Sequence, residues 1–425
     1  MKLHSKILLG LVAGAVVGVG VNVATGGGPV TQRVVALVTE PIGKMWLSAL
    51  IMIVIPLIVS TLSLGVAGLG SLKRLGRIGV ITIVTFLCLT ALSTALGLTL
   101  MNAIRPGRNL DPAVQARLMK TYKGETEGAM GLSENVFNID LLVHIVPRNP
   151  VQAAAKGDML AVIFFSLMIG VALTAIPAER AEPMVKFLDS LGQITVAIIH
   201  LVMKVAPVGV FCLIFSVTAR FGFELLFSLL RYVLTVVGGL VVFQFVGYPL
   251  ILLAVARVRP IEFFRKIRVV MLTAFSTSSS NATLPTTLQT SEEVLGIPRE
   301  IGGFVLPLGA TMNMNGTALY EGATVLFLAQ VFGVHLSLGA QLIVVLMAVV
   351  TAIGTAGIPS GSIPLLMMVL GMVGVPMEGI AIILGVDRIL DMCRTTLNVT
   401  GDLVTATVVS RFEGAVLKPS PLAEE

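Results

Sequence analysis

Charge is what this sequence has least of. Of its 425 residues 12% are charged and 56% are hydrophobic, against roughly 25% charged in an ordinary soluble protein. A deficit of that size excludes a soluble domain with a solvated surface. The apolar residues gather into runs at 7–24, 45–70, 78–104, 159–176, 193–219, 224–256, 301–331, 337–372 and 376–410. Several exceed the ~20 residues that carry a helix across a bilayer. The chain reads as an all-α polytopic membrane protein, with membrane lipid as its surroundings.

Cysteine and histidine are scarce too. Cys88, Cys212 and Cys393 lie inside apolar runs, and no pair has the spacing of a metal site or a disulfide framework. They read as small packing residues. The four histidines, His4, His144, His200 and His335, fall in unrelated segments. The serine run 278–280 therefore has no base beside it, which argues against intramembrane hydrolysis, and no enzyme activity is expected. The net charge of +6 would point to nucleic acid only if the basic residues made a soluble patch, and they do not. They cluster at helix ends, as Lys73, Arg74 and Arg77 and as Arg257, Arg259, Arg265, Lys266 and Arg268. The positive-inside rule makes both connections cytoplasmic, and the termini with them. The first run follows Lys2, His4 and Lys6 in the manner of a signal peptide, but the runs behind it mark it as a first span.

What the sequence does contain is polar residues in unexpected places. One long polar insertion at roughly 105–140 reads as an exposed loop. Beyond residue 255 the apolar segments are broken by STSSSNATLP at 276–285, NMNGT at 313–317 and GTAGIPSGSIP at 354–364. Non-helical backbone at membrane depth is tolerated only where protein or an aqueous cavity surrounds it. The first and third tracts, with Pro285, Pro359 and Pro364 stopping the helix, suit re-entrant hairpins. NMNGT suits a span unwound at its centre. Hairpin plus broken span, then hairpin plus charged span, reads as an inverted repeat at 257–331 and 336–412, with a site near the midplane.

The charged span is DRILDMCRTTLNVTGD at 387–402. At 100° per residue Asp387, Asp391, Arg394, Asn398 and Asp402 fall within about 80° of one another, with Thr395 at the edge. Charges at membrane depth cost several kcal/mol each unless they pair, face a cavity or bind ions. Asp387 and Arg388, near the start, suit internal ion pairs. Asp391 and Arg394 can neutralise each other or present opposite charges to a zwitterionic ligand. The hydroxyls and free N–H groups of the serine-rich tip suit a carboxylate, and the oxygens around NMNGT suit a hard cation such as Na⁺.

In order, ATLP after the serine run, NMNGTALYE, GTAGIPSGSIP and DMCRTTLNVTGD resemble the glutamate transporter family, the dicarboxylate/amino acid:cation symporters. The likeness covers essentially the whole chain, HIVPRNP at 144–150 included, and is that to a prokaryotic acidic amino acid transporter of the bacterial inner membrane. It implies eight transmembrane helices plus two re-entrant hairpins, an elevator-type mechanism and a homotrimer. Residues 1–72 and 130–220 would be scaffold. Residues 73–129 and 221–425 would be transport domain, with hairpin 1 at about 257–292, span 7 at 300–331, hairpin 2 at 336–372 and span 8 at 376–412.

The resemblance also assigns roles. Asp391 would hold the substrate's amino group and Arg394 its side-chain carboxylate, with Ser279, Ser280, Thr317, Ile358, Gly361, Thr395 and Asn398 as further contacts. Having both Asp391 and Arg394 implies L-glutamate or L-aspartate; C4-dicarboxylate members lack the aspartate and neutral amino acid members lack the arginine. An ion channel is the competing class. One Na⁺ site would use Gly309, Asn313, Asn398 and Asp402, a second Thr311, Met314, Ala352, Ile353 and Thr355. A further family site uses an aspartate where this chain has Asn315 and two hydroxyl residues where it has Leu89 and Thr90, so that site should be weak or absent. Glu321 is either paired with a nearby arginine or a carrier of H⁺, since burial disfavours a charged carboxylate. Where relatives set an arginine before the serine run or directly after the aspartate equivalent to Asp391, this chain has Ser278 and Met392, and Arg388 is the candidate replacement.

Overall fold

The computed structural model describes residues 3–69, 76–108, 146–156, 158–221, 224–355, 357 and 359–414. Every regular element among them is a helix. The first half comprises α1 (Leu3–Thr25), α2 (Pro29–Gly68, in consecutive segments), α3 (Arg77–Ile104), α4 (Met159–Ala175), α5 (Ala178–Lys204), α6 (Ala206–Phe221) and α7 (Leu226–Ala256). Five of these, α1, α2, α3, α5 and α7, are long and apolar enough to cross a membrane. α1 lies along α6, and α2 packs on α4 and α5. Their outer faces keep Leu9, Val16, Ile194, Leu201, Leu230 and Leu234 exposed, the composition of a lipid-facing layer. The polar insertion expected at 105–140 lies outside the described residues from 109 onward.

The second half is built from interrupted helices, because its polar tracts break the i→i−4 ladder where no lipid reaches. α8 (Pro260–Lys266), α9 (Arg268–Thr277) and α10 (Ser280–Gln289) make the first hairpin, which continues through a π-turn to Val294. Its tip is Ser278–Ser279. Pro285 does not stop the helix as expected: it sits six residues into α10. Its ring forfeits one backbone bond, which a hairpin enclosed by protein tolerates. α11 (Arg299–Met312) and α12 (Asn315–Val331) are one span broken at Asn313 and Met314 alone. α13 (Leu338–Gly354) and α14 (Ile363–Met372) form the second hairpin, with Pro364 in the first turn of α14, where a missing N–H is free of cost. A 3₁₀ segment, Met377–Ile382, then leads to α15 (Leu384–Phe412).

α12 is buried along its whole length, packed between α3, α13 and α15. A helix buried all round is a core element, and it puts the break at 313–314 at the centre of the second half. Both hairpin tips point to the same place.

Candidate functional site

The two tips touch. Ser279 Oγ donates to the carbonyl of Gly357 (2.6 Å), and the Asn281 N–H donates to the same oxygen (3.2 Å). Gly357 is required by crowding, since a Cβ there would lie 2.7 Å from the Ala310 carbonyl and 2.9 Å from Asn281 Oδ1. Each tip also carries a serine in the left-handed region, Ser278 at φ 51° and Ser360 at φ 60°, a conformation that costs a non-glycine residue roughly 1–2 kcal/mol. In both cases the turn aims polar groups inward.

Beneath the tips lies a small polar cavity lined by residues of both hairpins, the span break and α15: Ser278, Ser280, Thr317, Thr355, Gly361, Ser362, Asp391, Arg394, Thr395 and Asn398 among them. Arg394 is its centre. Nη1 donates to Asp387 Oδ1 (2.9 Å) and Nε to Asp391 Oδ1 (2.9 Å), while the guanidinium plane stacks 4.3 Å over the Tyr320 ring. Nη2 lies 2.9 Å from Asp391 Oδ1 but makes no aligned hydrogen bond. The carboxylates are held in turn. Tyr320 donates its hydroxyl to Asp387 Oδ1 (2.9 Å), the Ser360 hydroxyl donates to Asp387 Oδ2 (3.2 Å), and the Ser360 N–H donates to Asp391 Oδ2 (3.0 Å). Arg388 Nη1 reaches within 3.6 Å of that last oxygen. Two carboxylates therefore face two guanidiniums, and the quartet is neutral as a set. Three buried polar atoms lining the cavity lack hydrogen-bond partners among the described residues: Arg394 Nη2, Ser278 Oγ and Ser362 Oγ. All three can donate to a ligand oxygen.

Asn398 braces the floor. Its Oδ1 accepts from the N–H groups of Gly316 (2.7 Å) and Thr317 (3.3 Å), the first free donors of α12, and its Nδ2 donates to Thr317 Oγ1 (3.2 Å) and Met314 Sδ (3.3 Å). One turn further on, Asp402 Oδ1 accepts from Asn313 Nδ2 (2.8 Å), leaving Asn313 Oδ1 buried without a partner among the described residues. Gly309 backs directly onto the Asp402 carboxylate. Among the described residues no cation pairs with Asp402. Glu321 is in the same position: Oε2 accepts from the Thr351 hydroxyl (2.7 Å), and Oε1 is buried with no partner. An unpaired carboxylate beside an unpaired oxygen is what a small hard cation or a proton would complete.

The family model of the sodium:dicarboxylate symporter family matches residues 3–412. The chain belongs to that family. It is 37% identical to the proton/glutamate-aspartate symporter of Escherichia coli (strain K12), over 91% of this chain and 88% of that protein. It is also 37% identical to the proton/sodium-glutamate symport protein of Bacillus subtilis (strain 168), over 97% and 93%. A C4-dicarboxylate transport protein of the same B. subtilis strain is 31% identical over 97% and 95%.

As a member of the sodium:dicarboxylate symporter family, the chain brings together in one cavity Ser280, Thr317, Gly361, Asp391, Arg394, Thr395 and Asn398, with Met314 and Thr355 beside them. Ser279 sits at the rim, its hydroxyl engaged with Gly357. Ile358 lies outside the described residues. Of the second set of Na⁺ candidates, Thr311 is exposed with its hydroxyl donated to Leu308 O (3.0 Å), and Ala352 and Ile353 end α13 without lining the cavity. Sequence reasoning missed Tyr320, Ser360 and Ser362. The tyrosine hides in an apolar helix, and the serines read only as turn residues.

Proposed function

We infer that this chain is a secondary active symporter that moves an acidic amino acid, L-glutamate or L-aspartate, together with Na⁺, H⁺ or both. The observation that carries the reading is the neutral Asp387–Asp391–Arg388–Arg394 quartet bordered by three donors that make no aligned hydrogen bond among the described residues. A zwitterion with an extra carboxylate fits it: Arg394 Nη2 takes the side-chain carboxylate as a charge-assisted donor, the tip serines take the α-carboxylate, and Asp391 takes the ammonium. The substrate adds one net negative charge to a neutral site at membrane depth, where uncompensated charge is costly. Asp402 and Glu321 are two further carboxylates without a cation partner among the described residues, and cations seated there make the loaded site electrostatically tolerable. Asp402 with Gly309, Asn313 and Asn398 suits Na⁺; Glu321, held by one hydroxyl, suits H⁺. A C4-dicarboxylate would leave Asp391 facing a carboxylate, which disfavours that reading.

In this reading residues 1–72 and 130–220 form a static scaffold carrying homotrimer contacts. Residues 73–129 and 221–425 form a transport domain that moves as an elevator, with both termini cytoplasmic. The contact between the tips at Gly357 is the closed gate, and closure over a site whose charge the seated cations largely offset makes the domain mobile.

The test is uptake of labelled aspartate and glutamate into proteoliposomes with Na⁺ and pH gradients imposed separately. Uptake driven by either gradient is expected, and counterflow of trapped substrate separates a carrier from a channel. Glu321→Gln should abolish the response to an inward proton gradient while exchange persists. Accumulation of neither amino acid under any gradient would overturn the reading.

A further inference from the structure

One to two turns along α15 beyond Arg394, a second polar cluster is closed on itself. Tyr248 of α7 is fully buried. Its hydroxyl donates to the Leu397 carbonyl (2.9 Å) and accepts from Asn315 Nδ2 (3.0 Å). Asn315 Oδ1 accepts from Thr90 Oγ1 (2.9 Å), and its backbone carbonyl accepts from Ser93 Oγ (2.8 Å). Four elements, α3, α7, α12 and α15, meet here through neutral groups. The tyrosine is aimed by its surroundings. It lies between two π-turns, Phe243–Gly247 and Leu252–Ala256, and the Phe243 ring packs edge-on against it at 5.1 Å. Such π-turns inside helices frequently mark functional positions. Gly401 leaves the room: a Cβ there would lie 2.5 Å from both Asn315 Nδ2 and the Tyr248 hydroxyl.

This is where the family resemblance sets a further cation, and the residues present do not fit one. A cation needs oxygens converging without hydrogens between them. Here Asn315 is an amide, Leu89 is apolar, and the Thr90 and Tyr248 hydroxyls point their hydrogens at Asn315 and Leu397. The contrast with Asp402 is direct, since there a carboxylate adjoins the unpartnered Asn313 Oδ1, whereas both side-chain polar atoms of Asn315 are engaged. Gln244, one turn before Tyr248, donates to Thr400 Oγ1 (2.9 Å), and its Oε1 has no partner among the described residues, where no carboxylate adjoins it either.

We propose that the Tyr248 hydroxyl replaces a coupled cation in this chain, closing the Asn315 cluster as a neutral lock that holds α3, α7, α12 and α15 together whether or not sodium is present. The transport cycle then moves one cation fewer than the family pattern would give. The proposal rests on family membership and not on which substrate is carried, so it is tested without substrate. Melting temperature of the purified protein is followed against Na⁺, with choline keeping ionic strength constant; its dependence on ion concentration reports bound ions. Asn315→Asp alone should respond weakly, because the Tyr248 hydroxyl still occupies the Leu397 carbonyl and the Thr90 hydroxyl still donates to the side chain at 315. Asn315→Asp/Tyr248→Phe should add one ion's worth of sodium dependence over wild type. Equal slopes for the single and double variants, or no gain in a folded double variant, overturn the proposal. Tyr248→Phe alone is an independent check: its loss of melting temperature should be the same in sodium and in choline, and a loss larger in sodium would mean that the tyrosine belongs to a sodium site.

Discussion

The two polar clusters on α15 are made of similar materials and behave oppositely. Around Arg394 the groups are charged, and three donors are left over at the cavity wall. Around Asn315 the groups are neutral, and each side-chain polar atom of the network has a partner. Both are buried, so water does not decide the difference. A buried donor without a partner costs about 1–3 kcal/mol, and a protein keeps several together only where something else completes them. The comparison separates a cluster with donors to spare from one closed on itself, and burial alone would have confused them.

The largest effect is expected at the centre of the charged cluster. Arg394→Cys leaves Asp387 and Asp391 buried without their shared guanidinium, a loss of about 3–5 kcal/mol for a broken buried pair. Affinity for glutamate and aspartate should fall by on the order of 10²–10³-fold, and small neutral amino acids should gain entry. Equilibrium binding of labelled aspartate and serine checks this; wild-type aspartate affinity would remove Arg394 from the site.

Much of this cluster was legible in the sequence. The stripe from Asp387 to Asp402 follows helical spacing, and charges at membrane depth need a reason, so α15 drew attention unaided. The interruptions themselves were legible, because proline, glycine and serine break apolar runs in the second half. Pro285 misled because one proline can be absorbed within a helix enclosed by protein. The neutral lock was invisible for a different reason. Asn315 and Leu89 mark what is missing there, but Tyr248 lies 67 residues from Asn315, and nothing local says where its hydroxyl points. Tyr320 was unreadable in the same way, since stacking on Arg394 joins α12 to α15 only in the folded chain.

A smaller and more selective effect is expected from Asp391→Asn. The one remaining side-chain oxygen can accept from Arg394 Nε or from the Ser360 N–H but not from both, so the cavity is weakened rather than lost, and the ammonium loses its counter-charge. Aspartate affinity should fall by roughly 30–100-fold, the lower part of the range for truncating one partner of a buried charge pair. Binding of a C4-dicarboxylate should be unchanged or improved. Parallel loss of both ligands would mean that Asp391 supports Arg394 without touching substrate.

The finest test concerns Arg388, which stands 3.6 Å from Asp391 and is a fifth exposed. At that distance and exposure the pair is worth about 0.5–1 kcal/mol, the range of partly solvated ion pairs. Its sign is the informative part. Arg388 competes with a substrate ammonium for Asp391 and attracts any anion in the cavity. Arg388→Ala should therefore favour aspartate over succinate, shifting the ratio of their dissociation constants by roughly 2–5-fold. A shift toward succinate would mean that Arg388 orients Asp391 for the ammonium, and that the cavity's neutrality is arranged through Asp387 and Arg394 alone.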